Sequence, residues 1–304
     1  MLLARARGLQ PVVVCLPINL AGLPATVFHE MRLVYDQASR RYQWHVVIED
    51  GVLPTLAPGV GVAAIDLGEI HPAVATDGVE SMVFTARQLR SLHQYTNKRL
   101  AELRSKQDRL TKGSRGWKKL QRRKNRFLAQ QKRRTRDIEH KVSHAVVDWA
   151  VERQVGPLAI GDVRDVADGK RLNRKSQQKI SNWTHGKLRS YIEYKAEAAG
   201  IQTKLVDEHY TSQSCPQCGQ RHKPAGRVYR CSGCGFVGHR DAVGAANILS
   251  RFTMGEVGKV LSPRAAKYRM PADFRRGLRS RQDTAQVASV AAIGCAATEE
   301  AAGL

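Results

Sequence analysis

The chain has 304 residues, with 50 Lys+Arg against 27 Asp+Glu, a formal net charge of +23 and 42% hydrophobic residues. That apolar content excludes wholesale disorder, the length suits about two domains, and no apolar run approaches the roughly 18 residues of a membrane span. A cationic excess of this size points to a phosphate polymer as partner, because each neutralised phosphate releases a condensed counterion.

At the N-terminus, MLLARARGLQPVVVCLPINL imitates a signal peptide. Its apolar run is short, is broken by Pro17 and precedes no clear cleavage site. An intracellular, cytoplasmic and nucleoid-associated location is the expectation. In MRLVYDQASRRYQWHVVIED, Met31, Leu33 and Tyr35 alternate toward Trp44, Val46 and Ile48 across a polar turn, which predicts a hairpin. LPTLAPGVG, with two prolines and two glycines, reads as a linker. GVAAIDLG predicts a short core strand ending on Asp66, and HPAVATDG and SMVFTA extend it into an antiparallel meander.

From Arg87 to about Gln154 the pattern is helical, with Leu89, Leu92, Tyr95, Leu100 and Leu103 near helical spacing and TKGSRG splitting the run in two. Between Arg87 and Lys141 there are 20 Lys/Arg and 4 Asp/Glu, so most of the cations lack an intrahelical partner. Arg115, Lys118, Lys119, Arg122, Arg123, Lys124, Arg126, Lys132, Arg133 and Arg134 are the expected phosphate contacts. PLAIGDV predicts a second core strand, followed by a polar loop whose Arg171, Arg174 and Lys175 are further nucleic-acid candidates. A helix from about Thr184 to Ala199, a strand IQTKLVD and a short amphipathic helix in HRDAVGAANILSRF complete the pattern. From Ser262 onward no periodicity persists, and a disordered or loosely held tail is expected.

Cys215-Pro-Gln-Cys218-Gly and Cys231-Ser-Gly-Cys234-Gly form two knuckles. Each CxxC-Gly turn aims two thiolates at one point, and two of them complete the tetrahedral sulfur shell that zinc favours. The shell has no open position, so the metal is expected to be structural. Disulfides or a redox CxxC are the alternative that the doubled motif argues against. His222 and His239 lie nearby, but four sulfurs already suffice.

Asp66 ends a buried strand, where a charge needs compensation, and Asp241 opens the helix after the second knuckle, where an N-cap is the plainer role. Carboxylates on packed core elements can hold Mg²⁺ for phosphodiester hydrolysis. Such sites usually need a third carboxylate.

The order of strand-AIDLGE, a long basic helical insertion, a core strand, TSQSCPQCG…CSGCG and HRDAVGAANIL resembles the TnpB (OrfB-type) family over residues 28–252. These are transposon-encoded RNA-guided DNA endonucleases related to type V CRISPR effectors. The resemblance implies an α/β, RNase H-like (RuvC-like) nuclease core with an inserted zinc ribbon, preceded by part of a β-barrel (wedge) domain contacting the guide RNA. It divides the chain into 1–58 (partial barrel), 59–209 (nuclease core with helical insertion 87–154), 210–238 (ribbon), 239–256 (last core helix) and 257–304 (tail). It also implies structural Zn²⁺, catalytic Mg²⁺, a guide RNA and a double-stranded DNA target. Asp66 and Asp241 match the family's first and third catalytic carboxylates.

Two departures stand out. The family's middle Glu ends the strand that here reads LAIGDV, and this chain has Gly161 there. Asp162 would point to the opposite face. Glu208, ending the neighbouring strand, is the candidate for a relocated ligand; its plainer reading is an exposed loop acid, leaving a nuclease-dead site. The second departure is that little before residue 28 resembles the family's N-terminal recognition segment, so a shortened variant or fragment is expected. The competing function is an RNA-guided DNA-binding protein without cleavage. No tyrosine arrangement suits strand transfer. His140 reads as a satisfied helical residue, and Trp117 and Trp183 as base-stacking or core residues.

Overall fold

The computed structural model describes residues 2–3, 12–13, 28–36, 41–49, 55–163, 173, 177–178, 185–222, 224, 226–260, 262 and 265–270. Leu2–Leu3 (β1) and Val12–Val13 (β2) pair antiparallel. Phe28–Asp36 (β3) and Arg41–Ile48 (β4) form the expected hairpin, with Met31 opposite Val46 and Leu33 opposite Trp44. Tyr35 faces Tyr42, one pair further along than the alternation suggested, and Ile48 stands opposite Phe28.

The centre of the protein is a six-stranded mixed sheet. Gly61–Asp66 (β5), Ala73–Thr76 (β6) and Ser81–Phe84 (β7) make the antiparallel meander. Two helices follow, Arg87–Asp108 (α1) and Arg115–Glu152 (α2). The chain then returns through Val155–Asp162 (β8), helix His185–Ala198 (α3) and Gln202–Asp207 (β9), with β8 parallel to both β5 and β9. Val228–Arg230 (β10) and Val237–His239 (β11) form a small hairpin that runs directly into helix Arg240–Met254 (α4). Lys267–Arg269 (β12) then joins the sheet edge. The order is β12-β7-β6-β5-β8-β9. Counted from β5, the first five strands lie 3-2-1-4-5 with the second reversed, the arrangement expected of an RNase H-like core.

The strand period of two decides which helices cover which face. Ala63 and Ile65 of β5, with Leu158 and Ile160 of β8, join Ile138, Val142, Val146 and Trp149 of α2 and Leu188 and Ile192 of α3 in the main core. Their alternates Ala64 and Ala159 turn the other way and pack with Val206, Ile248 and Leu249 under α4. The sheet is therefore sandwiched between α2/α3 and α4.

The expected break at 111–116 is a turn with Gly113 at φ +87. Ser114 caps α2 by accepting the Trp117 N–H at 3.2 Å. Of the tail expected to be disordered or loosely held, residues 271–304 lie outside the described residues, while β12 pairs parallel with β7 and its Arg269 carbonyl accepts the Thr85 N–H at 3.0 Å. Three residues are too short to carry a periodic signal; the open edge of β7 makes them a strand.

Candidate active site and metal centres

Asp66 is the last residue of β5 and shares the face of Ala64, so its carboxylate points at α4. A Cβ on Gly244 would stand 2.4 Å from Asp66 Oδ2. Glycine at this helical position is what lets α4 settle onto the carboxylate, and nothing in the sequence pattern marked it. One turn earlier Asp241 lies in the first turn of α4, where the helix dipole favours an anion. Its Oδ2 is 3.4 Å from Arg227 Nη1.

Position 161 lies on the same face as Ala159, beside Asp66 on the adjacent parallel strand. Glu208 fills the space a side chain there would occupy: a Cβ on Gly161 would sit 1.9 Å from Glu208 Oε1. Glu208 follows β9 two residues after Val206 and keeps its facing. Asp162 points to the other side, where Arg189 Nη1 is 3.7 Å from its carboxylate. The structure thus brings Asp66, Glu208 and Asp241 to one end of the sheet.

Burial and the Asp241 charge push Asp66 up to about 7, and burial together with Asp66, Asp162 and Asp207 pushes Glu208 up to about 9. Glu208 Oε1 is buried with no hydrogen-bond partner. The neighbouring carboxylates of Asp66 and Glu208, one oxygen orphaned, fit a hard divalent cation, which takes oxygen ligands, although Asp66, Glu208 and Asp241 do not all bring ligand atoms within 4.8 Å of one another.

Two α4 side chains hold the Glu208 loop in place. Buried Asn247 donates to the carbonyls of Thr211 at 2.7 Å and Ser214 at 2.8 Å. Arg251 donates to Asp207 Oδ2 at 3.0 Å and to the His209 carbonyl at 2.9 Å. Both were missed, since helical pattern shows that a polar residue is inward but not what it grips. Beside Asp241, Gly68, Glu69, Ile70, Gly226, Arg227 and Arg240 line a recess of 370 Å³.

The ribbon thiols of Cys215, Cys218, Cys231 and Cys234 lie within 4.8 Å of one another, and none is in a disulfide. Sγ–Sγ separations of 3.6 Å for Cys215–Cys234 and Cys218–Cys231 approach the edge of a zinc–sulfur tetrahedron, about 3.8 Å for bonds of about 2.3 Å. Gly219 (φ +72) and Gly235 (φ +71) turn each knuckle in the left-handed region. These four thiols could hold a zinc ion. Tyr229 and Phe236 pack the knuckles against Val243 of α4, joining ribbon to active-site helix.

On α2, Arg115, Lys118, Lys119, Arg122, Arg123, Arg126, Lys132, Arg133 and Arg134 are exposed. Lys124 differs: its Nζ donates to Gln107 Oε1 of α1 at 2.9 Å and ties the two helices. Among the described residues, the ion pairs made by residues 87–141 are Arg90–Glu69, Arg99–Glu102 and Lys141–Asp137, leaving the 115–134 cations unneutralised. His140 stacks on Tyr191 at 4.1 Å between ring centroids, away from the carboxylates. Trp117 is half-buried. Arg171, Arg174, Lys175 and Trp183 lie outside the described residues. A further cluster that the sequence did not suggest is His71, His239 and Asp241, with ligand atoms within 4.8 Å of one another.

Among the described residues no helix is long and apolar enough to cross a membrane. Residues 45–167 match the OrfB_IS605 family model, described as "Probable transposase", and residues 185–248 match the "Cas12f1-like, TNB domain". A TnpB-like protein of Methanocaldococcus jannaschii is 30% identical over 141 residues, 45% of this chain and 49% of that protein. The CRISPR-associated endodeoxyribonuclease Cas12f1 of Sulfoacidibacillus thermotolerans is 33% identical over 113 residues, 36% of this chain and 25% of that protein. The chain thus spans about half of the first relative and a quarter of the second. A cryo-EM structure of a CRISPR-Cas12f ternary complex shares the fold, with TM-score 0.50 and 17% identity over 74% of this chain and 44% of that one. By these matches the chain is similar to TnpB-like proteins and to the Cas12f1 endodeoxyribonucleases.

Proposed function

We propose that this chain is a divalent-metal-dependent DNA endonuclease directed by a guide RNA, with Asp66, Glu208 and Asp241 as its catalytic carboxylates. The observation that carries the reading is the seat of Glu208 in the side-chain space of Gly161, its Oε1 buried and unpartnered beside Asp66. The carboxylate that β8 does not supply at position 161 comes instead from the residue that follows β9.

A Mg²⁺ centre held by these three residues would supply the Lewis acidity for phosphodiester hydrolysis. The protein's own groups do the positioning. Asn247 and Arg251 fix the Glu208 loop, and Gly244 admits Asp66 beneath α4. Arg227 and Arg240, on the recess beside Asp241, suit the phosphates of an incoming strand. The cations of α2 span about 28 Å from residue 115 to 134 at 1.5 Å per residue, enough to follow several phosphates. Base pairing with a guide would supply sequence choice while the protein reads backbone and shape. The ribbon, residues 210–238, would hold structural zinc and brace α4.

The test is plasmid cleavage with Mg²⁺ by protein purified with RNA from its own locus. Cuts that vanish in Asp66→Ala and Glu208→Ala, and return in Glu208→Ala/Gly161→Glu, establish the relocated carboxylate. Gly161 itself favours a second reading, a guide-directed binder that does not cut. Guide-dependent binding without cuts, unchanged by Gly161→Glu, would select that reading and overturn the first.

A further inference from the structure

We propose that His71, His239 and Asp241 form a binding site for a late first-row divalent ion such as Zn²⁺ or Co²⁺, distinct from the cysteine ribbon. His71 sits in the connection between β5 and β6, and His239 ends β11 immediately before α4, so two strand ends and a helix start converge there. One ligand atom from each residue lies within 4.8 Å of the others. The two rings meet edge-on, with centroids 5.7 Å apart.

Aromatic packing alone leaves this arrangement unexplained. His71 is 3% exposed, and Nδ1 of both His71 and His239 is buried with no hydrogen-bond partner. A buried nitrogen without a partner is destabilising unless something absent from the protein alone satisfies it. Tyr268 of β12 packs edge-on against both rings, at 6.0 Å from His71 and 6.1 Å from His239. The tail strand therefore closes over the cluster.

The donor set decides the ligand class. Two imidazoles and one carboxylate suit borderline ions of the zinc type, and three protein ligands leave a position open. Mg²⁺ prefers an all-oxygen environment, which Asp66 and Glu208 provide. Asp241 belongs to both clusters and lines the adjacent recess. An ion on the histidines would therefore share Asp241 with an ion held between Asp66 and Glu208, and the two imidazoles would hold it when Mg²⁺ is in excess. Binding at the histidines does not require that the chain cut DNA.

The experiment uses the full chain carrying one equivalent of ribbon zinc and no other metal, titrated with Co²⁺ and followed by its visible absorption. The expected result is one further equivalent with the weak bands of nitrogen and oxygen ligation, not displaced by excess Mg²⁺. His71→Gln and His239→Gln are each expected to weaken it at least about tenfold, the scale on which metal sites respond to lost support. Retained ribbon zinc and far-ultraviolet dichroism report folding, and half-buried His239 decides the matter should the His71 variant fail to fold. Absence of a second equivalent overturns the proposal. So does a second equivalent that survives His239→Gln unchanged, or cobalt signal carrying only sulfur charge-transfer bands from exchange into the ribbon.

Discussion

The ribbon and the carboxylate cluster meet on the same helix, α4, yet they are assembled in opposite ways. The four thiols come from residues 215–234, each pair placed by a local turn whose left-handed glycine directly follows its second cysteine. The carboxylates come from the end of β5, the loop after β9 and the start of α4, and no local rule brings them together. Soft sulfur ligands on local turns make a closed shell. Hard oxygen ligands on distant elements make a site whose geometry depends on sheet order, strand facing and the seat of one helix.

The sharpest way to break this comparison is to load the four ribbon thiols with zinc and then remove it. Chelation is expected to unfold residues 215–239 while the six-stranded sheet persists, since structural zinc contributes about 10 kcal/mol or more in small zinc domains. Amide exchange followed separately in β10–β11 and in β5–β8 checks it; simultaneous loss of both would make the ribbon part of one cooperative core. At the carboxylate cluster, Asp66→Ala or Asp241→Ala is expected to lower cleavage roughly a thousandfold or more, at least the effect of losing a preorganised electrostatic group. Nucleic-acid binding at fixed salt should be unchanged. Gly161→Ala is a finer probe, because its methyl group displaces Glu208 Oε1. A fall in cleavage of about ten- to a hundredfold is expected, comparable to disturbing a ligand's support, with no change in the ribbon's zinc content.

The pH dependence of stability sharpens the contrast further. Asp66, held up to about 7, and Glu208, held up to about 9, keep protons that the unfolded chain has released. The folded state then binds more protons than the unfolded one, so stability falls as pH rises through these values. Buried His71, pushed down to about 4 from 6.5, acts in the opposite direction and only below pH 6.5. Between pH 6.5 and about 9, thermal melts of protein holding ribbon zinc alone should therefore show a falling Tm. Added Mg²⁺ or Glu208→Gln should flatten that slope, and a slope indifferent to both would remove Glu208 from the cluster. The smallest effect belongs to single cations. Arg122→Ala should reduce the salt slope of nucleic-acid binding by about one phosphate contact. Lys124→Ala should leave that slope alone and lower the melting temperature, because Lys124 bonds Gln107.

Much of the architecture was legible in the chain. The meander, the split basic helices and the strand carrying Gly161 follow from periodicity and breakers, and the cysteine spacing names a ligand set by itself. Glu208 was legible as a candidate, because the alternation of β8 turns Asp162 away and leaves its neighbour as the nearest acid. Asn247, Arg251 and Gly244 were not, since what each touches belongs to a distant segment. Nor was β12, whose three residues become a strand only because β7 offers an edge.

The sequence by itself determined the cationic surface, the local knuckles and the strand and helix periods, because each arises from charge or from residues within a few positions of one another. Only the tertiary structure decided that Glu208 occupies the space beside Gly161, that Lys124 reaches across to Gln107 of α1, and that His71 meets His239 beneath Tyr268. Those outcomes depend on which strands lie adjacent and which face each helix covers, and the order β12-β7-β6-β5-β8-β9 sets both.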